Sequence, residues 1–219
     1  MPNYKYEELG KHYALNKSLK SYRPQWQPIL GLVPENSKVL DVGCGDGVLG
    51  EMLIKQKGSI VFGSDLDKVA VLEAKRKGIT AQVHDANLRL PFKSKGFDYV
   101  ICNEVLEFLT EPEKAISEAL RVGKTVILEF PNFGFWYYRL EMLLGRFPKK
   151  ALFGYSPFNT HQIKFFSYRD FLEFKVIRGV EIKRVICINW RNKKVSFLAK
   201  FNPNLFGRSC IVVLTSKHL

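Results

Sequence analysis

Residues 39–47 read Val-Leu-Asp-Val-Gly-Cys-Gly-Asp-Gly, and this stretch decides the fold. A short apolar run contains one acid, and glycine then occupies every second position from Gly43 to Gly47. The pattern predicts a buried strand that runs into a tight turn where the backbone approaches a ligand closely. Residues 48–56 follow with helical spacing. Such a strand, glycine loop and helix hold nucleotide-like ligands at the carboxyl edge of a parallel sheet.

Two acids of this stretch, Asp41 and Asp46, indicate what charge the ligand carries. A dinucleotide would place its pyrophosphate against the helix N-terminus, and residues 45–50 contain a nominal G-x-G-x-x-G pattern. In that register both acids would flank the phosphates, and two unit charges ~4 Å apart repel by ~4 kcal/mol at an effective dielectric constant of ~20. S-Adenosylmethionine has no phosphate and carries a sulfonium and an ammonium group. The acidic loop therefore favours this methyl donor.

The stretch resembles the first motif of class I S-adenosylmethionine-dependent methyltransferases. The resemblance implies that the following loop residues bind the cofactor: Asp41, Gly43, Cys44, Gly45, Asp46 and Gly47. A second predicted strand, residues 59–64, ends beside Asp65 and Leu66. An acid about 20 residues beyond such a loop accepts hydrogen bonds from the ribose hydroxyls. An N-cap for the helix that begins near Asp67 is the alternative role for Asp65.

Two further strand ends contribute to the same predicted crevice. In the methyltransferase family, an Asp after the third strand meets the adenine amino group, and the backbone of its neighbour meets the ring. Asp85 and Ala86 occupy that place, with a polar turn as the alternative. Residues 97–103 are predicted as the fourth strand, which delivers Asn103 and Glu104 to the same sheet edge. Four strand ends therefore converge on one crevice.

Strands and helices alternate in the predicted core over residues 38–129, including a helix over 113–121 and a fifth strand over 125–129. Such alternation predicts a parallel sheet covered by helices on both faces. Helical spacing returns at residues 168–177, and two β-rich runs, 180–189 and 209–215, complete the sheet. The expected fold is α/β: a Rossmann-like, doubly wound sheet, mostly parallel with an antiparallel last strand.

The whole chain, residues 1–219, is predicted to form a single methyltransferase-like domain. An N-terminal helical segment occupies residues 1–35, and an aromatic, basic cap is inserted at residues 130–166. No run approaches the ~18 apolar residues of a membrane span, and the N-terminus lacks the apolar stretch of a secretory signal. The four cysteines have no metal-ligand spacing and are predicted to be reduced, mostly buried thiols. A cytoplasmic protein without a metal and without membrane contact is expected.

Charge is distributed unevenly along the chain. Residues 1–120 carry 16 Lys and Arg against 16 Asp and Glu, whereas residues 121–219 carry 18 against 5 and account for the net charge of +13. The basic second half is expected to build the substrate side, which favours an anionic substrate, an acidic protein partner or nucleic acid. A lysine-rich solubilising surface is the alternative.

Segments of the second half resemble the methionine biosynthesis protein MetW family, and the resemblance spans roughly residues 38–215. The most specific of them, residues 130–136, reads Phe-Pro-Asn-Phe-Gly-Phe-Trp. The others are residues 120–124, 139–140, 159–161 and 202–207. Members of that family resemble methyltransferases but are linked to a homoserine O-acyltransferase as its companions. The resemblance therefore implies a cofactor-binding partner protein at least as readily as a methyltransferase that acts on a small or anionic acceptor.

Machinery for methyl transfer is sparse in this sequence. Transfer from the sulfonium depends on positioning, and a base is needed only for a protonated acceptor. Glu104 and Glu107 follow the fourth strand and are candidate bases. Many small-molecule methyltransferases carry Glu-His where this chain has Glu107-Phe108, which leaves His161 in the cap as the remaining histidine candidate, with a structural role as its alternative.

The aromatic and basic side chains of the cap leave three interpretations open. They could form a lid that packs on the domain, a surface for a protein partner, or a surface that stacks bases and tracks phosphates, as in an RNA methyltransferase. The lid is favoured and RNA is the least favoured of the three. S-Adenosylhomocysteine would be the product in each catalytic case.

Overall fold

The computed structural model describes residues 23–148, 164–189, 194–195 and 197–217. Most of the predicted N-terminal helical segment, His161 and residues 149–163 of the predicted cap lie outside these ranges. The strands are β1 Lys38–Val42, β2 Ile60–Asp65, β3 Thr80–Val83, β4 Phe97–Asn103, β5 Gly123–Pro131, β6 Val180–Asn189, β7 Lys194–Val195 and β8 Ser209–Ser216. The helices are α1 Trp26–Leu32, α2 Val48–Lys57, α3 Lys68–Arg76, α4 Pro112–Val122, α5 Trp136–Leu143, α6 Tyr168–Glu173, α7 Lys175–Arg178 and α8 Pro203–Phe206.

All the strands belong to one sheet with the order β3-β2-β1-β4-β5-β8-β6-β7. The neighbours from β3 to β5 are parallel, whereas β8 is antiparallel to both β5 and β6. The chain builds outward from β1 to β3, then crosses back to place β4 on the other side of β1. This change of direction creates a switch point between β1 and β4, where open α/β sheets bind ligands. The predicted doubly wound fold is confirmed.

The sheet is buried on both faces because helices cover each of them. Alternate residues of β5 show the division: Val126 and Leu128 join one core cluster, and Ile127 joins the other. Helices α1, α2 and α3 contribute to the cluster that contains Ile127, whereas α4, α6 and α7 contribute to the opposite one. All four cysteines are buried and unbridged, as predicted.

Two elements differ from the sequence prediction. The helix expected over residues 168–177 is broken at Phe174, whose extended backbone (φ −56°, ψ 132°) separates α6 from α7. The Phe174 ring packs against Phe166 and Phe171, and this tertiary contact outweighs the helical spacing.

The connection from β3 to β4 contains no helix in residues 84–96, although strict alternation predicts one. Its backbone is instead bonded to side chains of α4: the Arg121 guanidinium donates to the carbonyls of Leu90 and Phe92, at 2.8 Å each. Glu118 accepts from the Leu90 N–H at 2.9 Å. These bonds replace the hydrogen bonds that a helix would have supplied.

One fully buried side chain, that of Asn132, joins three separate segments of the second half. Its amide nitrogen donates to the carbonyls of Pro203, Asn204 and Gly207, at 3.2, 3.0 and 2.6 Å. Its amide oxygen accepts from the N–H groups of Gly134 at 3.0 Å and Tyr168 at 2.9 Å. The Phe-Pro-Asn-Phe-Gly segment is therefore a structural joint in this protein.

We expect Asn132→Asp to destabilise the protein by about 3 kcal/mol or more, because the variant presents a carboxylate oxygen to three carbonyls in place of a donor. Urea unfolding at neutral pH measures the loss. Asn202→Asp is the matched control: Asn202 caps α8 by accepting from the Leu205 N–H at 3.0 Å, and Asp performs that role equally well. Equal losses in the two variants would contradict the assignment of Asn132 as a joint.

Candidate functional site

The loop after β1 has a backbone that strongly favours glycine. Gly43, Gly45 and Gly47 all have left-handed φ angles, of +72°, +53° and +78°. A Cβ on Gly43 would lie 2.7 Å from Cγ2 of Val105, and one on Gly47 would lie 2.9 Å from the Ala74 backbone. Any side chain at these positions would therefore clash as well as strain the turn. The predicted tight glycine turn is confirmed, and its close approach to a ligand stays a prediction.

Asp65, at the end of β2, fixes this loop by hydrogen bonds. One carboxylate oxygen accepts from the Gly45 N–H at 2.8 Å and the other from the Asp67 N–H at 2.9 Å. Burial raises the pKa of Asp65, and these two backbone bonds act against that rise. The N-cap of α3 is Asp67, which accepts from Val69 at 2.7 Å, so the alternative N-cap role for Asp65 is wrong. Leu66, beside it, is exposed.

Asp41 on β1 and Asp46 in the loop are not two free negative charges, as the sequence suggested, and their contact with the cofactor stays a prediction. Asp46 is ion-paired with Lys77, whose Nζ lies 2.9 Å from its carboxylate and also donates to its carbonyl at 2.6 Å. Lys77 reaches the loop because Gly47 allows α3 to pack closely against it. Asp41 is buried, and burial with the nearby Asp65 charge raises the pKa of Asp41 to about 8.

Cys44 contributes its backbone to the loop and its side chain to the core. The Cys44 thiol is buried against β2, at 2.8 Å from where a Cβ on Gly63 would lie. The N–H groups of Gly43 and Cys44 donate to the Ser64 carbonyl at 2.7 and 3.0 Å. The thiol therefore packs beneath the loop.

Asp85 forms the polar turn that was the alternative in the sequence. One of its oxygens accepts from the backbone and side-chain nitrogens of Asn87, at 2.8 and 2.9 Å. Asn87 in turn accepts from the Thr110 N–H at 2.8 Å, which ties the turn to the segment after β4. Ala86 is half-buried and packs on the core. A contact of Asp85 and Ala86 with adenine stays a prediction.

At the end of β4, Glu104 is engaged by residues that precede α1. It has a left-handed φ of +54°, accepts from Nε2 of Gln25 at 2.6 Å, and forms an ion pair with Arg23. Each of its carboxylate oxygens therefore already has one partner, and its role as a base or a cofactor ligand stays a prediction. The adjoining Asn103 has a buried Oδ1 with no hydrogen-bond partner among the described residues.

Two buried glutamates, Glu107 and Glu129, lie beside Glu104. Glu107 is 1% exposed, and burial followed by the charge of Glu129 raises the pKa of Glu107 to about 8. Glu129, on β5, accepts a hydrogen bond from the Ser209 hydroxyl, and burial raises its pKa to about 7. Arg23 lowers both values by its positive charge. The sequence analysis missed Glu129, Arg23 and Gln25.

The structure thus brings most of the predicted residues to one edge of the sheet. The loop, Asp65, Asn103 and Glu104 all follow strands that end there, and the Glu104 N–H donates to the Glu129 carbonyl at 3.1 Å. His161 lies outside the described residues. In the described part of the chain, no three His, Cys, Asp or Glu side chains converge in a way that could hold a metal ion. No described helix has the length and apolar character needed to cross a membrane.

The sequence matches a known protein family and several proteins of known function. Residues 23–214 match the family model of the methionine biosynthesis protein MetW. The chain is 31% identical over 155 residues to a bifunctional methionine biosynthesis protein MetXA/MetW of Rhodopirellula baltica, a match that covers 66% of this chain and 25% of that protein. It is 34% identical over 178 residues to a ubiquinone biosynthesis O-methyltransferase of Idiomarina loihiensis, with 71% of each chain covered.

Solved structures show the same fold. A TehB-like S-adenosylmethionine-dependent methyltransferase of Corynebacterium glutamicum superposes with a TM-score of 0.60 at 22% identity, covering 97% of this chain and 98% of that one. The magnesium protoporphyrin IX methyltransferase of Synechocystis, solved with bound S-adenosylhomocysteine, superposes with a TM-score of 0.58 at 22% identity, covering 99% and 89%. At these identities the likeness shows the fold alone.

The buried carboxyls predict how stability depends on pH. A carboxyl whose pKa is raised in the folded state keeps its proton there while the unfolded chain loses it, so stability falls as pH rises from about 5 to about 8. Glu107→Gln removes the ionisable group and with it the part of this pH dependence that comes from Glu107. We therefore expect the stability of the variant to rise by a few kcal/mol relative to the wild type across that interval. Urea unfolding at several pH values measures the difference. The control is Glu111→Gln, because Glu111 is exposed. If the stability difference from the wild type did not change with pH in either variant, the burial argument would be contradicted.

Proposed function

The chain belongs to the methionine biosynthesis protein MetW family, within the class I methyltransferase superfamily, and on that premise we propose that it binds S-adenosylmethionine and transfers its methyl group to a small molecule in the cytoplasm. The observation that carries the proposal is the loop of three left-handed glycines, held against β2 by Asp65 at the switch point of the sheet. A backbone without side chains at this place leaves room for a nucleoside to approach.

The residues present fit this cofactor. The backbone of residues 43–47 would face it, and Asp65 would receive the ribose hydroxyls, since each carboxylate oxygen can accept more than the one backbone bond it now makes. Asp85 has one oxygen engaged by Asn87, which leaves the other to meet the adenine amino group. When bound, S-adenosylmethionine supplies an electrophilic methyl group on its sulfonium.

The acceptor would lie beyond the ends of β4 and β5. Positioning of the attacking atom supplies much of the rate in a methyl transfer. The aromatic side chains after β5 would provide this positioning. Phe135 and Tyr138 are buried and in edge-to-face contact, and the Arg208 guanidinium donates to the Tyr138 hydroxyl, which ties the start of α5 to the segment before β8. Glu107 is the carboxyl whose raised pKa suits it to take up a proton near neutral pH.

We expect Asp65→Asn to weaken S-adenosylmethionine binding by about 10- to 100-fold, because charge-assisted hydrogen bonds contribute about 1.5–3 kcal/mol. Isothermal titration calorimetry with the wild type and the variant measures the change. Asp98→Asn is the matched control, since Asp98 lies at the opposite edge of the sheet, where it accepts from the Lys38 N–H at 3.0 Å and from Lys124 at 2.8 Å.

The outcomes of this titration test separately the ribose role of Asp65 and the proposed use of S-adenosylmethionine. Wild-type affinity in Asp65→Asn would sink the ribose role of Asp65 alone. A wild-type protein that gives no heat with S-adenosylmethionine, but binds NAD, would sink the proposed function.

A second candidate function is support of a homoserine O-acyltransferase in methionine biosynthesis. The observation in its favour is the relative whose printed name joins MetXA and MetW in one bifunctional protein. The chain spans a quarter of that protein, so a separate polypeptide would supply the rest. Two functions that are fused in one organism act together, as a rule, when they are encoded separately.

We expect this chain to co-elute with the homoserine O-acyltransferase of its own genome in size-exclusion chromatography, and to change the activity of that enzyme when the two are mixed. The control is the acyltransferase alone, whose elution volume and activity give the baseline. Separate elution together with an unchanged acyltransferase activity would contradict the accessory role and leave the methyltransferase proposal standing.

A further inference from the structure

Three glutamates form a carboxyl cluster at the ends of β4 and β5: Glu107 and Glu129 are buried, and the side chain of Glu104 is 6% exposed. Arg23 connects them, because it is ion-paired with Glu104 and its charge acts on both other carboxyls. Gln25, which is fully buried, donates to Glu104 from the same side.

The buried polar atoms around this cluster lack donors. Those without a hydrogen-bond partner among the described residues are Oε1 of Gln25, Oδ1 of Asn103, both carboxylate oxygens of Glu107, and Oε2 of Glu129. All of them are oxygen atoms, so each can accept a hydrogen bond. A buried acceptor without a donor costs about 1–3 kcal/mol, and more when it is charged. The set therefore calls for a group that offers several N–H donors and a positive charge.

The carboxyl cluster adjoins the glycine loop. Val105 lies between Glu104 and Glu107 in the chain, and its side chain is what a Cβ on Gly43 would strike. Arg23 is 25% exposed, so the cluster reaches solvent on the side from which Arg23 enters. A ligand that occupied both places would span from the loop to the cluster.

We propose that the carboxyl cluster receives the ammonium group of the methyl acceptor, so that the acceptor is a primary or secondary amine. This inference rests on the proposed function and names its substrate class. An ammonium group has only donors and one positive charge, which matches the unpartnered oxygens. One guanidinium lies among three carboxyls, so a second cation would allow more of them to ionise.

The reaction then balances as follows. Ionised Glu107 takes one proton from the ammonium group, which leaves a neutral amine with a free electron pair. The amine nitrogen forms a bond to the methyl carbon, and the bond from that carbon to sulfur breaks, with its electron pair going to sulfur. The products are an N-methylammonium and S-adenosylhomocysteine, and Glu107 returns its proton to solvent.

The test uses four primary amines, propylamine, hexylamine, benzylamine and putrescine, each paired with the alcohol of the same skeleton. Binding is read from the melting temperature without cofactor, and turnover from S-adenosylhomocysteine by mass spectrometry. We expect at least one amine to bind and react at least about tenfold better than its alcohol, and Glu107→Gln to abolish that preference. The exposed Glu111→Gln is the matched control and should keep it. Glu129→Gln repeats the test if Glu107→Gln folds poorly.

Three results would overturn the inference: no amine is preferred over its alcohol, the preference survives in both cluster variants, or Glu107→Gln weakens S-adenosylmethionine itself as much as it weakens the amines. The last result would assign the cluster to the ammonium group of the cofactor. In each case titration of the wild type with S-adenosylmethionine alone shows whether the proposed function has failed as well.

Discussion

The close approach of the residue 43–47 loop to β2 and α3 is the constraint from which the site follows. With no Cβ at Gly43 or Gly47, the loop lies directly against Val105 and Ala74, and the carboxylate of Asp65 can reach the Gly45 N–H. That contact fixes where β1 ends relative to β2. The same closeness brings Lys77 to Asp46, and the ion pair offsets the negative charge of that acid. The absence of Cβ atoms at Gly43 and Gly47 therefore explains both the shape of the turn and the ion pair between Lys77 and Asp46.

Ionisable groups are buried at this edge of the sheet to an unusual degree. Asp41, Glu107 and Glu129 are all at most 2% exposed, and burial raises the pKa of each towards or above neutrality. Burying these groups lowers the stability of the fold, and ionisable groups with strongly shifted pKa values occur more often at functional sites than elsewhere. The helices on both faces supply enough apolar burial for the fold to tolerate that cost.

Local patterns in the sequence predicted the strands, the glycine loop and the sheet edge, because each depends on residues that are close in the chain. The pairing of Gln25 with Glu104 could not be predicted in this way, since 79 residues separate them and neither lies in a motif. The role of Asn132 was hidden for the same reason, although its segment was the most specific part of the family resemblance. Helical spacing failed at Phe174, where ring packing decided the backbone.

Asn132 also has a consequence for how this family can change. The Phe133 N–H donates to the Phe166 carbonyl at 3.2 Å, and the Tyr168 N–H donates to Asn132, so the two ends of the segment that contains α5 are bonded to each other. Closing a chain between fixed ends becomes costlier only slowly with length, by about 0.6 kcal/mol per doubling. Insertions and replacements between these two ends should leave the sheet and the glycine loop undisturbed, so that natural selection can exchange this segment as a separate module.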